Sequence, residues 1–368
     1  MKWIPFGALL LVFLAALFYV GFRIGRLVPQ PLLRVVLLAA YTLAALAFFG
    51  NFLLRGQLPE GLAALMYKVG TSWLILLLYL LLSFLLLDAL RLIPGLQAGK
   101  WLSNNWWTFG LLAGGMSLLL IGGNLNYHHK KRTELTLEID KPGGPLKQLN
   151  IVALSDLHLG YGIGRAELES WLPLIEREHP DLILLAGDLV DGEPRPLFDE
   201  DFAASLRKLK APLGVYAVLG NHEYICGLEN SLRFLRETGI TLLRDSAVLV
   251  DGSFYLIGRD DRSNRRRKPL AELLAPLDTC KPLLLLDHQP ARLEDAVANH
   301  IDLQISGHTH QGQVWPISLL TSALFEDDYG YLKKGRTQFY VTSGMGIWGG
   351  KFRIGTRSEY LVLHLKFK

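Results

Sequence analysis

Five short blocks of polar residues carry the chemistry open to this chain of 368 residues. They are Asp156-Leu157-His158, Gly187-Asp188-Leu189-Val190-Asp191, Gly220-Asn221-His222-Glu223, His288-Gln289-Pro290 and Gly307-His308-Thr309-His310. Each alone is ordinary: an Asp-x-His is a common surface turn, and Gly-Asn-His-Glu can be a turn with a helix cap. Together they assemble carboxylate, imidazole and amide oxygen donors. Burying so many polar groups is costly without a shared partner, and a pair of divalent cations would satisfy them all. No thiolate is among them, because Cys226 and Cys280 lie outside the blocks, so the donor set suits Mn, Fe or Zn. Two such ions about 3.5–4 Å apart can bridge a hydroxide and clamp a phosphoryl group. One carboxylate must bridge them. Asp188 is the expected bridge, since Gly187 lets the backbone turn close to the ions.

These blocks need a frame that brings them together. Each follows a short apolar run: Leu149–Leu154, Leu182–Ala186, Val215–Leu219, Leu283–Leu286 and Leu303–Ile305. Further runs at Phe254–Ile257, Phe339–Val341 and Tyr360–Leu365, and the alternation Leu135, Leu137, Ile139, also read as strands. Helical stretches intervene at Glu167–Glu178, Phe202–Leu209 and Glu229–Glu237. Strands alternating with helices predict an α/β or mixed sandwich with buried sheets, and loops at the carboxyl ends of such strands converge.

The first third of the chain is different. Residues 1–129 hold eight Lys/Arg against two acids, Glu60 and Asp88, whereas residues 130–368 hold thirty against thirty-two. A sparsely charged, basic segment therefore precedes a conventional domain. Four apolar runs, at about 3–22, 35–54, 69–87 and 106–125, are each long enough to cross a hydrocarbon core of ~30 Å. The predicted organisation is an all-α four-helix transmembrane anchor over 1–129 and a catalytic domain over 130–368. A cleaved leader is disfavoured for the first run because three more spans follow. Gly110 and Gly114 form one GxxxG, where helices could pack closely. The spans hold no row of acids or histidines, which argues for anchoring over transport.

In order and spacing, D-x-H, G-D-x-x-D, G-N-H-E, H-x-P and G-H-x-H resemble the calcineurin-like metallophosphoesterase superfamily over Asp156 to His310. The resemblance implies a four-layer sandwich, two mixed β-sheets face to face with helices outside. It implies that Asp156, His158, His310 and the bridging Asp188 hold one metal, and Asn221, His288, His308 and Asp188 the other. His222 would face the phosphate and help protonate the leaving oxygen, with Asp191 orienting it. More narrowly, Ser155–Gly160, Gly307–Gln313 and the glycine-rich Ser343–Gly355 resemble the membrane-anchored bacterial branch, whose members are linked to hydrolysis of UDP-2,3-diacylglucosamine, a lipid A precursor.

The expected function is a membrane phosphoesterase with two divalent metals, acting on a phosphate or pyrophosphate ester, lipid-linked and in contact with the bilayer. The alternatives are a tethered phosphodiesterase or phosphatase for a soluble nucleotide or phosphoprotein, and a non-catalytic metal-binding scaffold. Nucleic acid is not an expected partner, because residues 130–368 carry a net charge of −2. Six basic residues flank the spans on the domain's side against five opposite, which weakly favours a cytoplasmic domain on the inner membrane. Three further segments stand out. Arg259–Lys268 is a basic stretch that reads as a solvated loop or a contact for anionic groups. Pro316–Phe325 is apolar for a loop beside such a site. Ser343–Gly350 reads as a loop at the site's edge with Trp348 as a wall, and Arg353 and Arg357 as possible aids to the phosphate.

Overall fold

The computed structural model describes residues 6–368 apart from 95 and 97, so residues 3–5 of the first predicted span lie outside the described residues. The chain forms two compact units, Met1–Asn124 and Leu125–Lys368.

Four helices are long and apolar enough to cross a membrane: α1 (Phe6–Leu27), α2 (Pro31–Leu53), α3 (Glu60–Leu90) and α4 (Trp106–His128). Helix α3 has 31 residues, about 46 Å at 1.5 Å per residue, and starts nine residues before the predicted span. Lys68 ends the apolar run but not the helix, because lysine is a good helix former whose charge can reach past apolar surface. Within the first unit, Arg23 and Tyr19 of α1 both bind the Asp88 carboxylate of α3. The close helix approach is not at the GxxxG: a Cβ on Gly110 or Gly114 would meet nothing within 4 Å. It is at Gly70, where a Cβ would lie 2.5 Å from the Phe48 backbone of α2.

The second unit is the expected four-layer sandwich. One sheet runs β1 (Lys131–Ile139), β12 (Glu359–Phe367), β2 (Gln148–Leu154), β3 (Leu182–Leu185), β4 (Val215–Ala217), β5 (Thr241–Leu242). The other runs β10 (Gly330–Lys334), β11 (Thr337–Val341), β9 (Leu303–Ser306), β8 (Leu283–Leu286), β7 (Phe254–Gly258), β6 (Ser246–Val250). Both are mixed: β2 to β5 and β7, β8, β9, β11 are parallel, while β12 meets β2, β6 meets β7 and β10 meets β11 antiparallel. Side chains alternate along each strand. Ile151 and Ala153 of β2 pack inward with Leu284 and Leu286 of β8, whereas Val152 and Leu154 face outward with Trp171 and Ile175 of the helix Arg165–Glu176. Leu283 and Leu285 face the helices Leu270–Leu274 and Leu293–Ala298.

The last turn of α4 lies in this unit. Asn126 Nδ2 donates to the carbonyls of Arg353 and Thr356, both at 2.8 Å, and the fully buried Tyr127 donates its hydroxyl to Glu167. Lys130 Nζ sits 3.5 Å from the Tyr127 ring centroid and 4.9 Å from that of Trp171. Burial pushes the Lys130 ammonium down to about 6. Arg132 pairs with Glu134 and Glu178. The basic triplet Lys130–Arg132 is therefore not a free cationic patch.

Candidate metal centre and its cleft

All seven predicted donors meet at the carboxyl ends of the parallel strands. Asp156 and His158 follow β2, Asp188 follows β3 and Asn221 follows β4; His288 follows β8, and His308 and His310 follow β9. One sheet thus supplies four and the other three. Asp156, His158 and His310 form one group, and Asp188, His288 and His308 another. In the first, Asp156 Oδ1 is 3.9 Å from His158 Nε2 and 3.6 Å from His310 Nε2, and the two Nε2 atoms face each other at 3.0 Å. In the second, Asp188 Oδ2 is 3.1 Å from His288 Nε2, and Asn221 Oδ1 is 2.8 Å from His308 Nδ1. Asp188 Oδ2 also lies 3.8 Å from His158 Nε2, so one oxygen reaches both groups. Its other oxygen accepts the His222 backbone N–H at 2.8 Å, which fixes the carboxylate's rotation.

The donor set fits divalent cations. His288 Nδ1 is 2.8 Å from the Ala186 carbonyl, which can only accept. Nδ1 therefore carries a proton, and Nε2, facing the Asp188 carboxylate, carries a second one that a bound cation would displace. His158 and His310 aim Nε2 at each other while their buried Nδ1 atoms have no hydrogen-bond partner among the described residues. A cation between the two Nε2 atoms would take a lone pair from each ring. Burial opposes a charge on His288, but the Asp188 carboxylate overrides it and raises its pKa well above the ordinary value. Burial, then the neighbouring imidazoles, drives His158 down to about 3 and His308 down to about 4, which leaves both as neutral donors at pH 7.

The backbone is bent to achieve this. Asp156, His158, Asp188, His308 and His310 all have positive φ, between 47° and 73°. Such residues cost on the order of 1–3 kcal/mol each and gather at functional sites. Gly187, with φ +92°, fits for a second reason: a Cβ there would lie 2.6 Å from His288 Nδ1. Glu223 holds the loops in place, a role that its sequence position does not reveal. Its buried carboxylate accepts from the backbone N–H groups of Asp188, Leu189, Val190 and Gly220, at 2.5–3.1 Å. It thereby ties the loop after β3 to the loop after β4.

His222 joins neither of these two groups, but with Asp191 and His158 it forms a third cluster of close nitrogen and oxygen atoms beside them. Its Nδ1 lies 3.2 Å from Asp191 Oδ1, and its ring stands edge-on to His158 with centroids 4.5 Å apart. Burial lowers its pKa, but the bond to Asp191 and the Asp188 charge outweigh burial and raise it to about 9. His222 also lines a cleft of about 270 Å³ with Asp188, Asn221, His308, His310 and Trp348. Trp348 is a wall, as expected. Arg353 is not an aid to the phosphate: it is fully buried, and it donates to the carbonyls of His310 and Ser343, both at 2.6 Å, and to Gly346. It fastens the glycine-rich loop behind the cleft. Cys226 is buried, and Cys280 is exposed.

A two-sheet sandwich with two carboxylate–imidazole groups sharing one carboxylate defines a metal-dependent phosphoesterase. Residues 149–312 match the calcineurin-like phosphoesterase family. A metallophosphoesterase of Aquifex aeolicus, uncharacterized, is 34% identical over 241 residues, 63% of this chain and 90% of that protein. The chain belongs to this family. An uncharacterized metallophosphoesterase of Helicobacter pylori is 36% identical over 225 residues, 60% of this chain and 60% of that protein's length. A transmembrane protein with metallophosphoesterase domain from Danio rerio is 29% identical over 374 residues, covering 94% of this chain and 83% of that one.

Proposed function

We propose that this protein is a membrane-anchored phosphoesterase that hydrolyses a phosphate or pyrophosphate ester of an amphiphilic, lipid-linked substrate. The observation that carries the hydrolase reading is Asp188 Oδ2 lying between the two donor groups beside the His222–Asp191 pair. Asp156, His158, His310 and Asp188 would hold one ion, and Asn221, His288, His308 and Asp188 the other. When bound, the ions supply a nucleophile at neutral pH and neutralise phosphoryl charge. The residues do the rest. Asp191 accepts from His222 Nδ1 and holds the imidazole charged, with Nε2 as the free ring donor. His222 can then stabilise the phosphoryl oxygens and give its proton to the leaving oxygen. A metal scaffold would not need this pair.

The lipid reading rests on the helix Ile317–Leu324, which follows the donor His310. Ile317 and Thr321 line the cleft, and the helix buries none of its residues. Leu319, Leu320 and Leu324 are exposed. Apolar surface next to a phosphoryl site suits an acyl or prenyl chain. A UDP-linked diacyl sugar fits, as in the membrane-anchored bacterial branch, and so does a polyprenyl or glycerophospholipid phosphate. The four long apolar helices are the anchor in this reading. We place the catalytic unit on the cytoplasmic face of the inner membrane; a reporter fused at Lys368 that reads out as extracytoplasmic overturns that placement alone.

The test is hydrolysis by detergent-purified protein supplied with Mn²⁺. Turnover of a chromogenic phosphodiester establishes the phosphoesterase. Preference for an acylated over a deacylated natural ester establishes the lipid substrate, and no preference moves the reading to a tethered enzyme for soluble esters.

A further inference from the structure

A second pocket lies in the catalytic unit and shares no lining residue with the metal cleft. Its volume is about 440 Å³, and five arginines line it: Arg259, Arg262, Arg265, Arg267 and Arg292. They come from the segment after β7 and from the start of the helix Leu293–Ala298. One carboxylate, Asp295, lines it with them. Asp287 binds two of the arginines, Arg259 at 3.1 Å and Arg267 at 3.0 Å. Asp245 also acts on Arg259, so five guanidinium groups stand against three carboxylates, a surplus of two positive charges.

Two features separate this pocket from an ordinary solvated loop. Arg259 is 6% exposed, and its Nε–H is buried without a hydrogen-bond partner. A buried arginine donor left unmet is costly, and an anionic oxygen is its natural complement. Among the described residues, Arg262 and Arg265 have no ion-pair or hydrogen-bond partner, while Arg267 and Arg292 are held in place by Asp287 and Asp295. Fixed guanidinium groups beside free ones make a recognition site for a planar or tetrahedral oxyanion. The volume falls in the usual range for small-molecule pockets and leaves room for more than one orthophosphate.

We propose that this arginine pocket binds the phosphate groups of an anionic phosphate ester at a site separate from the metal centre. The inference does not rest on the hydrolase reading, because no donor of the metal centre lines the pocket. The ligand is either a soluble phosphate ester or the head group of an anionic lipid, and these share the chemistry that the pocket recognises.

The experiment uses the full chain, loaded with Mn²⁺, in nanodiscs of phosphatidylcholine with or without phosphatidic acid. Calorimetric titration with methylenediphosphonate, which resists hydrolysis, reads the sites. Wild-type protein in phosphatidylcholine should show two classes of site. The double variant Arg262→Ala/Arg265→Ala should lose one of them, or bind it at least about tenfold more weakly. Both substitutions fall on exposed, unpaired side chains, so an unchanged unfolding temperature should accompany the loss. Weakening of the arginine-dependent site by phosphatidic acid identifies the lipid head group as the ligand; an unaffected site identifies the soluble ester. A double variant that binds the probe with wild-type affinity and stoichiometry overturns the proposal, whether or not the metal centre adds a site of its own.

Discussion

Asp191 Oδ1 lies 3.2 Å from His222 Nδ1 but 4.0 Å from His158 Nδ1, so the carboxylate pairs with one imidazole and stops short of the other. His158 is driven neutral by burial and offers Nε2 to the donor group. His222 has its pKa raised to about 9.

The first prediction follows from that pair. His222→Ala should keep both metals and lose about 10²–10⁴-fold in kcat. Elemental analysis beside the kinetics checks it, and loss of metal in the variant would return His222 to the ligands. In Asp191→Asn the support that raises the His222 pKa is gone. The fall of kcat/KM at high pH should therefore move to lower pH than in wild type. Bound cations lower the His222 pKa in both proteins, so the shift between them is the readout. The sign is the same for the metal-free fold. A raised imidazole pKa stabilises fully below about 6.5 and ceases to do so as pH passes through about 9. The stability gap between wild type and Asp191→Asn should shrink from pH 6 to pH 10.

Asp188→Asn should lose most metal and most activity, because the oxygen that reaches both groups gives up its charge. Glu223→Gln should be milder on metal content and harsher on stability. It leaves four backbone N–H groups sharing one amide oxygen, and each unmet buried donor costs about 1–3 kcal/mol. Metal content and denaturant midpoints measured together separate the two roles.

The strand-end donors were legible because residue type and position both appear in the chain. Asp, His and Asn each follow an apolar run, and the structure brings all seven together. Glu223 is different. It stands in the same block, but its task depends on N–H groups of another loop that only the packed sheets bring near. The positive φ angles of Asp156 or His308 are equally invisible, since Asp and His adopt ordinary turns elsewhere. Strand β10, with the pattern Gly-Tyr-Leu-Lys-Lys, was missed because it carries no apolar run and sits at a sheet edge. The burial of Lys130 is also invisible in the sequence, because the aromatic rings of Tyr127 and Trp171 that cover it lie 3 and 41 residues away.

Tyr127 yields a stability prediction. Its ring is fully buried and carries Lys130, and its hydroxyl binds Glu167. Tyr127→Ala should destabilise the catalytic unit by about 3–5 kcal/mol, the range for a buried aromatic. Tyr127→Phe, which keeps the ring, should cost about 1–3 kcal/mol. Denaturant unfolding of the two variants checks the order.

Leu320→Ser/Leu324→Ser should slow turnover of an acylated ester while leaving a small chromogenic diester nearly untouched. Neither leucine is among the cleft's lining residues, and both are exposed, so the fold should not suffer. Equal losses on the two substrates would remove the helix Ile317–Leu324 from substrate recognition.

Each donor group takes members from both sheets, so ions held there would act as a clasp across the sandwich. Emptying the site is then a mechanical event as much as a chemical one. Without a shared cation the buried Asp156 and Asp188 carboxylates repel each other, on loops already held in strained backbone. A copy without metal should open at this end more often than a loaded one and lose its loop tips to proteases faster. Idle molecules would carry a mark of their own state, legible to whatever degrades them.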